Sequence, residues 1–144
     1  MYKQAELGPI LGFQNIVGVE FRFKIEVFFP EVLNITEGNA LRIDWNDVIP
    51  REELNYIMGN PPFVGYSFQS REQKKDILSI YVDRKGSPYK NAGKIDYVSG
   101  WYFKAAELIQ GTNIRVAFVS TNSITQGEQV AGVWKPLYER FGIH

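Results

Sequence analysis

From residue 54 onward, short apolar runs alternate with helical stripes of apolar residues. Leu54-Asn55-Tyr56-Ile57-Met58 reads as a strand. Ser70-Arg71-Glu72-Gln73 has capping-box spacing and predicts a helix running to about Val82. Tyr97, Trp101, Ala105 and Leu108 lie on one helical stripe, with Val98, Tyr102 and Ile109 beside it. Asp96 is placed to cap that helix and Gly111 to stop it. Ile114 to Val119 is nearly continuous in apolar residues, as in a parallel sheet covered on both faces. Thr125 and Glu128 form a second capping-box pair. A last helix then runs toward Tyr138 despite Pro136, with Val130, Trp134, Leu137 and Phe141 on its apolar side and Gly142 at its end. Ile143-His144 looks like the opening of another strand.

The first third of the chain is less regular. Residues 1–14, with Gly8-Pro9 and Gly12, read as loop. Asn15 to Glu20 reads as a short buried strand ending in an acid. Phe21 to Val27 alternates strictly, a strand signal, although Phe21, Ile25, Phe28 and Phe29 also keep helical spacing. Val32 to Thr36 is a further strand candidate. Asp44-Trp45-Asn46-Asp47 opens a short helix that Pro50 ends. The alternation of strands and helices argues for an α/β fold with parallel strands. Ligands of such sheets bind outside the carboxyl ends of the strands. Glu20, Asn39, Asn60 and the polar loop Ser120 to Ser123 all fall there.

Composition narrows the chemistry. With 144 residues and 44% hydrophobic content, the chain can bury the core of one domain. Sixteen basic and sixteen acidic residues give no net charge, unlike a self-contained nucleic-acid binder. A catalytic segment whose grip on DNA lies elsewhere is still compatible with that balance. There is no cysteine, and the one histidine is His144, so no thiolate nucleophile, histidine triad or metal site is expected. No apolar run reaches membrane-spanning length and no signal peptide is visible, which makes the cytoplasm the expected location. The loop at 83–94 carries Arg84, Lys85, Lys90 and Lys94; it suits contact with a phosphate backbone or a plain charged surface equally well.

The stretch that carries chemistry is Asn60-Pro61-Pro62-Phe63, at the end of the Leu54–Met58 run. Asn60 precedes a proline and is biased to extended geometry, so its amide projects from the strand end. Pro61 and Pro62 fix φ and lack N–H groups, which leaves rigid carbonyl acceptors. Phe63 adds an aromatic face. Two acceptors and a ring suit a flipped base with an exocyclic amine. Asn-Pro and Pro-Pro also make ordinary turns.

In this setting the motif resembles that of amino-group DNA methyltransferases that use S-adenosylmethionine. The runs Glu37-Gly38-Asn39-Ala40-Leu41-Arg42-Ile43-Asp44-Trp45, Gly59 to Gly65 and Arg115 to Gln129 are similar to one branch, the large adenine-specific enzymes of single-chain restriction–modification systems. The resemblance implies a partial Rossmann-like methyltransferase sheet with flanking helices. It implies Glu20 at the cofactor ribose, Asn39 and Ala40 near its adenine, and Asn60, Pro61, Pro62 and Phe63 at the target base. The product expected from it is N6-methyladenine in DNA. Related Pro-Pro-aromatic motifs serve RNA and protein-glutamine methylation, and a non-catalytic remnant or interaction module is the rival from another class. The family's Gly-rich loop is not found before Asn15, and its closing strands do not appear by His144. Residues 1–144 are therefore expected to be the central part of a catalytic domain. Such a chain by itself should bind S-adenosylmethionine weakly or not at all and methylate no DNA, and could form a homo-oligomer through an unpaired sheet edge.

Overall fold

Three parallel strands lie in the order β1-β2-β3, with β2 in the middle. They are β1 (Ile10–Phe13), β2 (Tyr56–Gly59) and β3 (Arg115–Phe118). The computed structural model describes residues 10–13 and 36–143. The strand readings at 15–20 and 21–29, most of that at 32–36, and the residues Glu20 and His144 lie outside the described residues.

β1 corrects one expectation, since Ile10–Phe13 lies in the stretch expected to be loop. It pairs with β2 in the register Ile10 with Tyr56 through Phe13 with Gly59. Four residues around a glycine are too short a run for period-two patterning to register. β1 thus occupies one edge of β2. On the other side, Tyr56 pairs with Arg115 and Gly59 with Phe118.

Because parallel strands in register put paired residues on the same face, exposure alternates in step. Ile57 is fully buried, with Val116 and Phe118 partly buried on the same face, while Tyr56, Met58, Arg115 and Ala117 are exposed. The expectation that β3 is covered on both faces therefore does not hold among the described residues. Helix α3 (Ser99–Leu108) covers one face, where Tyr102 meets the Phe118 ring edge-on at 5.3 Å.

The helices follow local rules with instructive exceptions. α1 (Trp45–Val48) is capped by Asp44, whose carboxylate accepts the Asn46 amide, and its Trp45 is buried. α2 (Arg71–Ile80) has the full capping box. Ser70 Oγ accepts the Gln73 amide at 3.2 Å and Gln73 Oε1 accepts the Ser70 amide at 2.9 Å. α3 is not capped by Asp96. Its N-cap is Val98, with no side-chain bond. Asp96 receives the Ser99 amide on its backbone carbonyl, because its carboxylate is engaged elsewhere. Gly100 lets α3 approach closely: a Cβ there would lie 3.0 Å from both Ile77 Cδ1 and Leu41 Cδ1.

The C-terminal helix is continuous but changes pitch. α4 (Gly127–Gln129) passes into a π turn at Val130–Trp134 and then α5 (Lys135–Phe141). Pro136 sits in the first turn of α5. Proline has no N–H and its ring crowds the carbonyl four residues back, and the wider π turn accommodates both effects. Gly142 closes the helix at φ +62°. The Thr125–Glu128 box does not form. The N-cap is Gln126, and Thr125 Oγ1 donates instead to the Asn122 carbonyl within the 3-10 turn Asn122–Thr125. This local bond removes the hydroxyl from the helix end.

Candidate functional site

Gly59 closes the ladder of β2, its carbonyl accepting the Val119 amide at 3.0 Å. Asn60 steps off the sheet there and is exposed. Pro61 is fully buried and anchors the turn, while Pro62 is half-buried. Phe63 remains 47% exposed, so its ring is not part of the core. Among the described residues, no hydrogen bond reaches the Asn60 amide or the carbonyls of Pro61 and Pro62. The motif thus joins a buried anchor, Pro61, to an exposed Asn60 amide.

Phe63 opens onto a cleft of about 390 Å³ at the carboxyl ends of β2 and β3. Phe68, Asp96, Val98, Thr121 and Ser123 line it as well. Phe68 is 85% exposed, at the end of a 3-10 turn, Tyr66–Phe68. A larger hollow of about 450 Å³ lies at the opposite end of the strands, between Arg51-Glu52, Leu54-Asn55 and the 111–114 turn. It touches none of the motif residues and sits at the amino ends of β2 and β3, away from where open α/β sheets bind ligands.

The loop after β3 is held from several sides. Tyr102 donates its hydroxyl to Ser120 Oγ at 3.1 Å, and Trp134 Nε1 donates to the Ile124 carbonyl at 2.7 Å. Thr121 Oγ1 and Ser123 Oγ share a hydrogen bond of 2.6 Å. Ser123 also donates to Asp96 Oδ2 at 2.7 Å. Ser120 to Ser123 thus reach the same rim as Asn60, as their position after an apolar strand implied.

Asn39 and Ala40 belong to a different environment. Asn39 Nδ2 donates to Asp76 Oδ2 at 3.1 Å, and its Oδ1 accepts the Leu41 amide at 2.9 Å. Asp76 is buried on α2 and also receives Arg42 Nε at 2.8 Å and the Tyr97 hydroxyl at 3.0 Å. Burial, chiefly, pushes the Tyr97 hydroxyl up to about 12, and the neighbouring Asp76 charge adds to the shift. The hydrogen bond to Asp76 likewise raises Arg42 above its ordinary value. Ala40 is buried, and its carbonyl accepts Trp45 Nε1 at 2.7 Å. Lys104 donates to the Leu41 carbonyl at 3.2 Å and to that of Ile43, with its ammonium 5.6 Å from the Trp45 ring centre. Burial lowers its pKa.

Asp76 was missed in the sequence, although an acid beside Ile77 on the inner side of an amphipathic helix is a legible anomaly. The exposed Arg71, Lys74 and Lys75 do form the solvated face expected of α2. In the 83–94 loop, Asp83 accepts the Lys85 and Ser87 amides at 2.8 and 3.0 Å. Those bonds, Ser87 first, hold its carboxyl below the usual range. Arg140 clamps the loop base through the Val82 and Asp83 carbonyls, while Arg84, Lys85, Lys90 and Lys94 stay exposed.

Comparison with known proteins points to one group. The family described as MmeI, DNA-methyltransferase domain, matches residues 16–144. DNA methyltransferase A of Bacillus subtilis (strain 168) is 45% identical over 108 residues, which are 74% of this chain and 12% of that protein. The solved structure of the type IIL restriction–modification enzyme MmeI in complex with DNA superposes with a TM-score of 0.68 at 51% identity. It covers 74% of this chain, which spans only 14% of that one.

Proposed function

Since the chain belongs to the MmeI DNA-methyltransferase domain family, we propose that it holds the target amine in a restriction–modification-type enzyme methylating adenine N6 in DNA. Residues 1–144 would be the central part of the catalytic domain. The observation that carries this reading is the turn at the end of β2. Its Asn60 amide and Pro61 carbonyl have no hydrogen-bond partner among the described residues, and an open aromatic ring, Phe63, stands beside them.

An aniline-like amine is a poor nucleophile because its lone pair is delocalised into the base. The Asn60 amide oxygen and the Pro61 carbonyl would each accept a hydrogen bond from one of its N–H groups, which favours a pyramidal nitrogen with its lone pair directed out of the ring plane. This is orientation and electrostatic stabilisation without a covalent intermediate. Phe63 would stack on the flipped base, a contact worth roughly 1–3 kcal/mol in comparable cases. Asparagine is no base, so the proton departs to water after transfer. S-adenosylmethionine, when bound, supplies an electrophilic methyl group. Among the described residues Asn39 fits its adenine. Asp76 and the Leu41 amide fix the orientation of the Asn39 side chain and leave one lone pair on its oxygen, which would accept a hydrogen bond from the adenine amine. The buried Ala40 would back that contact, and Glu20 would take the ribose hydroxyls. DNA is the proposed macromolecular partner, and the described helices include none long and apolar enough to cross a membrane.

The test is methylation of duplex DNA by the complete protein with labelled S-adenosylmethionine, followed by mass spectrometry of the nucleosides. N6-methyladenine is expected. N4-methylcytosine, or transfer only to RNA or protein, would refute the adenine assignment.

A further inference from the structure

Asp96 draws together segments that lie far apart in the chain. Its Oδ1 accepts the Tyr66 amide at 3.2 Å, three residues beyond Phe63. Its Oδ2 accepts the Ser123 hydroxyl at 2.7 Å, in the loop after β3. The Asp96 amide donates to Gln129 Oε1 at 3.0 Å, and Gln129 Nε2 donates to the Lys94 carbonyl at 2.8 Å. The next amide, that of Tyr97, donates to the Val64 carbonyl at 2.9 Å. Asp96 is therefore located by α4 and in turn locates both walls of the cleft beside Phe63.

The choice of a carboxylate is physically apt. It accepts on both oxygens and donates on neither, and its charge strengthens both bonds. The 3-10 turn Tyr66–Phe68 has no side-chain cap of its own, so the bond to Asp96 is what ties its first amide down. We infer that Asp96 is a positioning residue that keeps the Phe63–Phe68 wall and the Ser120–Ser123 wall at the spacing the base needs. Its effect on turnover rests on the methyltransferase reading. The coupling of the two loops does not.

The complete protein with Asp96→Ala tests both parts. Hydrogen exchange should speed up about tenfold or more in residues 64–68 and in 120–125 together, the loss expected for a charge-assisted bond. Exchange in α2 should be unchanged. Turnover should fall on the order of 10²-fold, as small misplacements of reacting groups do. KM for DNA and affinity for S-adenosylmethionine should stay within about threefold, since Asp96 is not assigned a contact with either ligand. Asp96→Asn, which keeps one acceptor, should recover part of the turnover. Exchange that is unchanged, confined to one loop, or raised equally in α2 would overturn the inference. So would a loss of turnover that appears wholly in KM. Should Asp96→Ala fail to fold, Asp96→Asn and Ser123→Ala decide by the same measurements, and parent-like values in both would overturn it. A parent protein that methylates no DNA would sink the methyltransferase reading, while the exchange rates still decide the coupling.

Discussion

Two loops of this protein each present an asparagine, and they use it in opposite ways. At the β2 end, the exposed Asn60 amide has no hydrogen-bond partner among the described residues and stands beside an exposed ring. At the 39–43 turn, Asn39 is bound to Asp76 and to the Leu41 amide, within a junction that Arg42 and Tyr97 complete. A folded chain gains by pairing its buried polar groups, so the junction around Asp76 has the character of a structural joint that holds Asn39 in one orientation. An exposed amide on a buried anchor is what a ligand site keeps in reserve. The contrast lies in the partners and not in residue type.

The comparison breaks most visibly at Asn60. In the complete enzyme, Asn60→Ala should lower methylation by at least about 10²–10³-fold. Its thermal midpoint should stay where it was, because an exposed side chain with little packing is removed. Near-normal turnover on adenine-containing duplex would place the amine contact elsewhere. Asp76→Ala should act first on stability. It strips a buried acceptor from three partners and should cost about 3 kcal/mol in denaturant unfolding. An unchanged midpoint would mean that the junction is dispensable.

Gly100→Ala probes the same side by packing alone. The added methyl meets Ile77 and Leu41 at 3.0 Å, and a loss of about 1–2 kcal/mol is expected. The smallest effect is one of pH. The Tyr97 hydroxyl is raised from 10.0 to about 12 in the folded chain. The folded state therefore holds this proton more tightly than the unfolded one. Its contribution to stability is complete below pH 10 and fades as the pH rises through about 12. Tyr97→Phe should flatten that part of the stability profile measured by urea titration. An identical slope in both proteins would show that Tyr97 does not titrate there.

Local rules written in the sequence were enough for several elements. The Ser70–Gln73 box, the short helix opening at Asp44, the apolar run into Asn60 and the stripe on α3 all depend on neighbours within a few residues, and all appear in the fold. The motif was legible for the same reason: a proline-flanked asparagine after an apolar run carries its geometry in its own backbone. Other readings turned on distant partners. Asp96 has a capping residue's spacing, but Ser123 and Tyr66, about thirty residues away on either side, claim its carboxylate. Asp76 has a surface residue's identity, yet Tyr97 and the 39–42 turn close over it. β1 is a strand because β2 offers it a ladder, with little in Ile10–Phe13 to announce it. Sequence alone determined the locally specified elements and the motif, since helix caps, proline restraints and apolar periodicity act within a turn or two of chain. Tertiary structure decided which polar side chains are spent on the fold and which remain open, because a hydrogen-bond partner from a distant segment exists only once the chain has folded.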